Sequence, residues 1–243
     1  HFAVLAQTGA GKSYLTGVLV EELLEQDFPV LVVDPHGEFS SLEDPNPDNE
    51  NASRSYEIKE YSPNTDINKS ALPLEFSSVN LGKKQIQTLI TDSLTNSQMG
   101  VLYNALKGLK EKDEDYSLTD VEDAVEKEES SAKWNLLNYL EQLEDSGLFS
   151  ESPVDPRDLV EEGRASVINL KAVEPDNAEM AVYLLAKNLF DLRKRDEIPP
   201  FIMVFEEAHN FIPEKGFGQA ISNPIMRKIA SEGRKFGVGI GVI

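Results

Sequence analysis

The sequence predicts an α/β fold in which a mostly parallel sheet is flanked by helices and interrupted by a helical insertion. Three observations lead to this prediction. Apolar runs at 2–6 and 30–34 show no polar alternation, which is typical of parallel strands covered on both faces. An amphipathic pattern over 12–26 joins the two runs and completes a βαβ unit. Residues 80–150 carry apolar stripes at helical spacing, enough for three or four helices.

The first apolar run leads into the segment QTGAGKS at 7–13 and then into a helical pattern. Strand, glycine turn, lysine-serine and helix follow one another in the order of a phosphate-binding loop. Gly9 and Gly11 permit backbone angles in which successive N–H groups face a polyphosphate. The helix that begins near Gly11 would add free N–H groups and its positive dipole end. Lys12 would reach the β- and γ-phosphates, and the Ser13 hydroxyl would ligate Mg²⁺.

This loop departs from the usual pattern at one position, because Ala6 stands where a glycine is common. That position closes the strand and does not itself cradle phosphate, so we expect the site to survive the change. The residues predicted to bind the nucleotide are Thr8, Gly9, Ala10, Gly11, Lys12, Ser13 and Tyr14.

A polar turn follows the second strand, with Asp34, His36 and Glu38 in sequence. Ligands of open parallel sheets lie at the carboxyl ends of the strands, so these side chains are candidates for contacts with the γ-phosphate or with metal-bound water. A plain turn ended by Pro35 and Gly37 explains the same residues equally well.

The middle of the chain predicts an acidic, mostly helical insertion at 43–159 between two parts of one core, 1–42 and 160–243. Residues 40–54 are polar and typical of a loop, and 56–61 alternates like a strand. Ser117 with Asp120 resembles a capping box. The charged helical faces are most simply solvated surfaces, and a dedicated docking site is the alternative.

The core resumes with predicted strands at 165–170, 201–205 and 238–243, and with predicted helices at 176–195 and 219–233. The strand at 201–205 ends in Glu206 and Glu207. Beside a phosphate loop, the first carboxylate would hold the hydration shell of the metal, and the second would orient and activate the attacking water. A solvated strand end is the alternative, which the phosphate loop disfavours.

The charge of the chain is unevenly distributed. Its net charge of −20 argues against an overall basic nucleic-acid-binding protein. Residues 39–163 carry eleven basic and twenty-seven acidic residues, a net of −16, whereas residues 164–243 carry eleven basic and ten acidic residues, a net of +1. The last third can therefore supply a DNA-facing surface.

The absence of Cys, of a signal peptide and of any apolar stretch long enough to span a bilayer predicts a cytoplasmic protein. A start at His1 and a stop inside an apolar run predict a fragment of a longer chain.

Four segments occur together and in order: TGAGKS, VVDPHGEF, FEEAHNFIP and SEGRKFGVGIGV. This set resembles the HerA family of the HerA–FtsK hexameric translocases, over about 1–42 and 160–243. The resemblance implies a RecA-like ATPase core that assembles into a ring, usually a hexamer, around double-stranded DNA. It further implies hydrolysis of ATP between subunits and, commonly, work with a NurA nuclease in DNA end resection. The family usually carries a β-barrel before the phosphate loop and more chain after the last strand.

The resemblance also implies roles for single residues. Lys12 and Ser13 match the phosphate and magnesium residues, and Glu206 and Glu207 match the acidic pair, with Glu207 as the catalytic carboxylate. The usual first residue of that pair is Asp, so Glu206 is one methylene longer. Arg234 is similar to an arginine that such rings place in trans against a neighbour's γ-phosphate. The alternative is that Arg234 is a cation favoured by the helix dipole.

Two hypotheses follow from these observations. The preferred one is a DNA-dependent helicase or translocase with ATP and Mg²⁺ as cofactors, which handles duplex DNA as a ring, with a NurA-like nuclease as a partner. Lys215, in a glycine-bearing loop near Phe217, is its candidate DNA contact. The second is a nucleotide-gated scaffold that docks a partner protein on the acidic insertion. A monomeric nucleotide kinase is disfavoured because the sequence shows no acceptor-substrate signature.

Overall fold

A computed structural model describes residues 1–5, 7, 11–39, 56–90, 93–213 and 220–243. The chain divides into two compact units. The first unit comprises His1–Leu74 and Val154–Ile243, and the second comprises Glu75–Pro153.

The first unit is built on a seven-stranded sheet in which every pairing is parallel. In chain order the strands are β1 (Phe2–Ala3), β2 (Val30–Asp34), β3 (Glu57–Ser62), β4 (Leu72–Pro73), β5 (Arg164–Asn169), β6 (Phe201–Phe205) and β7 (Val238–Val242). The helices of the chain are α1 (Lys12–Leu24), α2 (Lys83–Leu89), α3 (Asn96–Lys110), α4 (Leu118–Glu126), α5 (Lys133–Asp145), α6 (Pro175–Lys194) and α7 (Asn223–Phe236). The strand order is β1-β7-β6-β2-β5-β3-β4. The predicted fold class is confirmed.

The centre of the sheet holds the core of the first unit. Every residue of β2, β5 and β6 is buried, because helices cover both faces of a parallel sheet. Phe201, Phe205 and Leu31 are among the largest fully buried side chains, and each contributes about 1.5–3 kcal/mol by leaving water. This packing therefore holds the carboxyl ends of β2 and β6 in fixed positions.

The strand β3 belongs to this sheet, although it lies inside the range 43–159 predicted for the insertion. It pairs with β5 along Glu57–Tyr61 and with β4 at Tyr61 and Ser62. Without β3, the backbone groups on that side of the buried β5 would lack hydrogen-bond partners. The helical unit at Glu75–Pro153 accordingly has narrower bounds than the predicted insertion.

The start of the chain differs most from its prediction. The strand predicted at 2–6 is shorter, since β1 ends at Ala3 and Leu5 is 92% exposed. On α1, the buried side chains are Thr16, Val20 and Leu24, whereas the apolar Leu15 is 45% exposed. Apolar residues lie on most sides of this helix, so their spacing did not define one buried face.

The second unit contains α2 to α5. The capping box predicted at Ser117 and Asp120 is confirmed, with both reciprocal hydrogen bonds formed. On α5 the buried residues are Leu136, Leu140 and Leu143. Trp134, near the start of the same helix, is 63% exposed and lies beside the Lys133 ammonium. In the part of the chain that the structure describes, no helix combines the length and apolarity needed to cross a bilayer.

Candidate nucleotide-binding site

The end of the predicted phosphate loop forms the first turn of α1. Gly11 precedes the helix with φ of 82°, the left-handed conformation for which a glycine was predicted here. Its carbonyl accepts a hydrogen bond from the Leu15 N–H at 3.0 Å. The buried Thr16 hydroxyl donates to the Lys12 carbonyl at 2.9 Å. These contacts fix Lys12 and Ser13 at the helix N-terminus, where the dipole favours anions.

Thr8, Gly9 and Ala10 lie outside the described residues, as does Lys215. Tyr14 is 76% exposed. Their assignments stay predictions.

The Ser13 hydroxyl lies between two carboxylates. Its oxygen is 2.9 Å from Glu38 Oε2 and 2.9 Å from Glu206 Oε1. A serine hydroxyl has one proton and can donate it to only one of them at a time. The structure thus brings together one predicted metal ligand, Ser13, and two predicted carboxylates, which follow the different strands β2 and β6.

Glu206 is the most buried of these carboxylates, with a relative exposure of 3%. Burial raises its pKa, and the negative charges of Glu38, Asp34 and Glu207 raise it further, against the hydrogen bond from Ser13. Its Oε2 atom is buried and has no hydrogen-bond partner among the described residues. Such an orphaned acceptor is costly. Hard cations such as Mg²⁺ take oxygen ligands and keep several waters, so these oxygens fit a hydrated magnesium ion.

Asp34 was predicted as a candidate contact for phosphate or metal-bound water, and in the structure its carboxylate binds backbone N–H groups of the turn after β2. Its carboxylate is fully buried and accepts hydrogen bonds from the backbone N–H groups of His36 at 3.1 Å, Gly37 at 2.8 Å and Phe39 at 2.9 Å. These bonds fold the turn after β2 and place Glu38 against Ser13. His36 is exposed in this turn, and its described contact is the backbone bond to Asp34.

Glu207 lies next to Glu206 and contacts the phosphate-loop lysine. Its Oε1 is 3.7 Å from Lys12 Nζ, and its Oε2 is 3.4 Å from His209 Nδ1. The Glu207 backbone is left-handed, with φ of 47° and ψ of 49°, which costs a residue other than glycine about 1–2 kcal/mol. His209 was not among the residues predicted for the site. Its position two residues after the acidic pair, in the turn that ends β6, was the available signal.

A cavity of about 510 Å³ adjoins Lys12, Glu207 and His209. Its other walls are apolar and come from the carboxyl ends of β1 and β7 and from the turn after β6. The volume falls in the range of small-molecule sites. The Lys12 ammonium and the Glu207 carboxylate therefore border a space that can admit part of a ligand.

Arg234 does not join this cluster. It lies in the last turn of α7, which leads through Gly237 to the amino end of β7. There the Phe201 N–H, at the start of β6, bonds to the Gly237 carbonyl at 3.1 Å. The acidic pair follows the other end of β6, five residues away, which is about 16 Å of extended chain.

Three comparisons with known proteins bear on the family and fold of this chain. The chain aligns over its whole length with the DNA double-strand break repair helicase HerA of Saccharolobus solfataricus at 29% identity, covering 50% of that protein. It aligns likewise with the protein of the same name from Pyrococcus furiosus at 27% identity, covering 52% of it. The chain thus spans about half the length of the curated relatives it matches.

Among solved structures, VirB4 of Thermoanaerobacter pseudethanolicus has a similar fold, with a TM-score of 0.67 and 17% identity. The alignment covers the whole of this chain and 69% of the VirB4 chain. At this identity the likeness is one of fold, and it agrees with a RecA-like α/β core. A family model described as "Helicase HerA, central domain" matches residues 1–189. Since that match covers well over half of the sequence, the chain belongs to the HerA central-domain family.

Proposed function

We propose that this chain is the ATPase core of a HerA-type motor, which hydrolyses ATP between the subunits of a ring and moves along double-stranded DNA. The observation that carries the proposal is the convergence of Ser13, Glu38 and Glu206 beside the Lys12–Glu207 pair. A lysine, a hydroxyl and three carboxylates at the carboxyl edge of a parallel sheet suit a magnesium-bound triphosphate.

Each of these groups has a step to perform. Magnesium, when bound, neutralises charge on the β- and γ-phosphates. Ser13 would ligate it, and Glu206 and Glu38 would accept hydrogen bonds from its water ligands. Lys12 would leave Glu207 for the phosphates, because a triphosphate carries more negative charge than one carboxylate. Glu207 would then be free to accept a proton from the attacking water. The oxygen of that water would bond to the γ-phosphorus while the bond from the γ-phosphorus to the leaving ADP oxygen breaks.

The remaining parts of the proposal concern other molecules. Arg234 would neutralise transition-state charge on the nucleotide of a neighbouring subunit. Duplex DNA is the proposed track, since relatives of this chain are named DNA double-strand break repair helicases. Lys215 is the proposed DNA contact, and a NurA-like nuclease is the proposed partner.

The test is steady-state ATP turnover by the full-length protein with and without linear duplex DNA. Lys12→Ala serves as the blank, and Glu207→Gln should bind ATP with less than about 1% of normal turnover. Strong stimulation by duplex, absent in both variants, would support the motor.

A second candidate function is a nucleotide-gated scaffold. The separate helical unit at Glu75–Pro153 favours it, because that unit offers a partner protein a surface of its own. In the same experiment a scaffold would bind ATP, yet its turnover would not exceed that of Lys12→Ala under any condition. That result would refute the motor.

A further inference from the structure

The two oxygens of the Glu207 carboxylate face two different side chains. Oε2 is 3.4 Å from His209 Nδ1, and Oε1 is 3.7 Å from Lys12 Nζ. Both distances are longer than an ordinary hydrogen bond. Catalytic contacts are often long in the absence of substrate and tighten when the substrate binds. Each oxygen of Glu207 therefore has its own partner within reach.

The backbone on both sides of His209 is fixed by packing. Ala208 is buried, and its N–H donates to the Ile243 carbonyl at 3.1 Å. Phe211 is also buried, and the centre of its ring lies 6.2 Å from that of Phe205. His209 thus has a defined place in the turn after β6.

The contact between His209 and Glu207 accompanies an unusual backbone conformation. Side chains two residues apart in a 3₁₀ turn point in different directions, because each residue rotates the chain by about 120°. Glu207 precedes the turn Ala208–Asn210 in the left-handed conformation, and its carboxylate meets the His209 ring. Residues in such sparsely populated conformations are concentrated at functional sites, where the surrounding structure holds them.

Packing does not require a histidine at position 209. The His209 side chain is 73% exposed, so its ring contributes little to the core. Within the described ranges, Glu207 is the one group with which the imidazole forms a hydrogen-bonding or ionic contact. The question is therefore what the imidazole does for Glu207.

Lys12 cannot hold Glu207 throughout the reaction. On the proposed function, Lys12 moves to the phosphates when ATP binds. Lys12 and His209 are the two described residues of the cavity lining whose side chains can donate a hydrogen bond, since the walls other than Glu207 are apolar. Once Lys12 has moved, His209 is the side-chain donor that remains in this lining. The oxygen that faced Lys12 is then open to water.

We infer that His209 is a positioning residue, which holds Oε2 of Glu207 after Lys12 has moved and so turns Oε1 toward the water that attacks ATP. This inference rests on the proposed function and adds a residue that acts through Glu207 without touching the nucleotide. The task belongs to Nδ1, because that ring nitrogen contacts the carboxylate. A donor in the place of Nδ1 can therefore replace the histidine, and a donor in the place of Nε2 cannot.

The test is steady-state ATP turnover by full-length variants over a range of ATP concentrations, which separates kcat from KM. His209→Ala should lower kcat about ten-fold or more, because a misplaced base slows the chemical step. The KM for ATP should change less than about two-fold, because the interaction is used only in the transition state. His209→Asn should recover most of the loss, since its amide N–H₂ group lies near the place of Nδ1. His209→Gln should not, because its longer side chain carries the amide to the place of Nε2.

Asn210→Ala is the matched control. It removes an exposed polar side chain from the same turn and should leave kcat and KM unchanged, with an unfolding temperature equal to that of His209→Ala. A double-mutant cycle adds a second readout. In a Glu207→Gln background, His209→Ala should cause no further loss in single-turnover hydrolysis, because the carboxylate through which it acts is gone.

Other outcomes would overturn the inference. An unchanged kcat for His209→Ala, equal recovery by asparagine and glutamine, or a further loss in the Glu207→Gln background would each reject the positioning role while leaving the motor in place. A raised KM with unchanged kcat would assign His209 to nucleotide binding instead. No turnover by the unaltered protein, with or without duplex DNA, would refute the proposed function itself and this inference with it.

Discussion

At the scale of single residues, the Ser13 hydroxyl shows why the site favours a cation. Two carboxylates lie 2.9 Å from one hydroxyl oxygen, and only one of them can accept its proton at a time. The two negative charges repel each other, and one of them is buried. A divalent ion would bind both groups through water and convert this repulsion into attraction.

Glu38→Gln tests this arrangement. The change keeps the size of the side chain but removes its charge, and outer-shell partners of this kind are worth about 10–100-fold in metal affinity. We therefore expect the Mg²⁺ concentration for half-maximal ATP turnover to rise about ten-fold. The measurement is a magnesium titration of turnover at fixed ATP.

His36→Ala is the control for that titration. It alters an exposed side chain in the same turn, two residues away, without touching Ser13. An equal effect of both changes would mean that the turn matters and the Glu38 carboxylate does not.

A second carboxylate, Glu122 on α4, makes stability depend on pH. Burial, together with the negative charges of Glu144, Glu141, Asp123 and Asp145, raises its pKa to about 7. A folded-state pKa above the unfolded one means that the folded state holds the proton more tightly. Stability is therefore lost as pH rises from the ordinary glutamate range to about 7, and the full loss is present above that.

Glu122→Gln should relieve this loss. We expect its unfolding temperature to rise by about 2–4 °C at pH 8, the shift that ~1 kcal/mol gives a chain of this size, with little change at pH 5. The exposed Glu129→Gln provides the comparison and should behave alike at both pH values. A gain for Glu122→Gln that is as large at pH 5 as at pH 8 would show that its charge is not the cause.

At the scale of elements, the sequence predicted the central strands well. The bounds predicted for β2 and β6 coincide with the observed ones, because apolar runs of that length between polar turns have few alternatives in a covered sheet. The predictions that failed concern α1 and β1. Leu5 and Leu15 are apolar yet exposed, and periodicity assumes that every apolar residue is inward.

The turn after β2 shows a second limit of prediction. The sequence offered Asp34, His36 and Glu38 as equal candidates for the nucleotide. Only the backbone shows that Asp34 accepts three N–H groups while Glu38 reaches Ser13. The division of roles follows from the direction of each side chain in a turn, which residue types alone do not fix.

The packing of α7 on β7 depends on Gly233. A Cβ atom at this position would lie 2.8 Å from the Val238 carbonyl oxygen and 3.2 Å from Ile229 Cγ2. Gly233→Ala would push the helix away from the strand and should destabilise the protein by about 1–3 kcal/mol, measured by thermal or denaturant unfolding.

Gly108→Ala on α3 should have the opposite effect on stability. Nothing lies within 4 Å of the position of its Cβ, so the gain in helix propensity should stabilise the protein by about 0.5–1 kcal/mol. Stabilisation by both changes would mean that α7 does not approach β7 closely.

At the scale of the whole molecule, the parallel topology separates Arg234 from the acidic pair. A helix that connects neighbouring parallel strands returns from their carboxyl edge to their amino edge. Glu206 and Glu207 follow β6 at the first edge, and Arg234 ends α7 near the second. An arginine that acts on ATP from this position must act on the ATP of another copy.

Mixed assemblies of two inactive variants test that conclusion. Lys12→Ala removes the phosphate contact and keeps Arg234, whereas Arg234→Ala does the reverse, so each alone should hydrolyse ATP poorly. When equal amounts co-assemble at random, one interface in four joins an intact Lys12 to an intact Arg234. If the sites act independently, the mixture should recover about a quarter of normal turnover. Turnover no higher than that of the separate variants, in assemblies shown to contain both, would mean that Arg234 does not act across the interface.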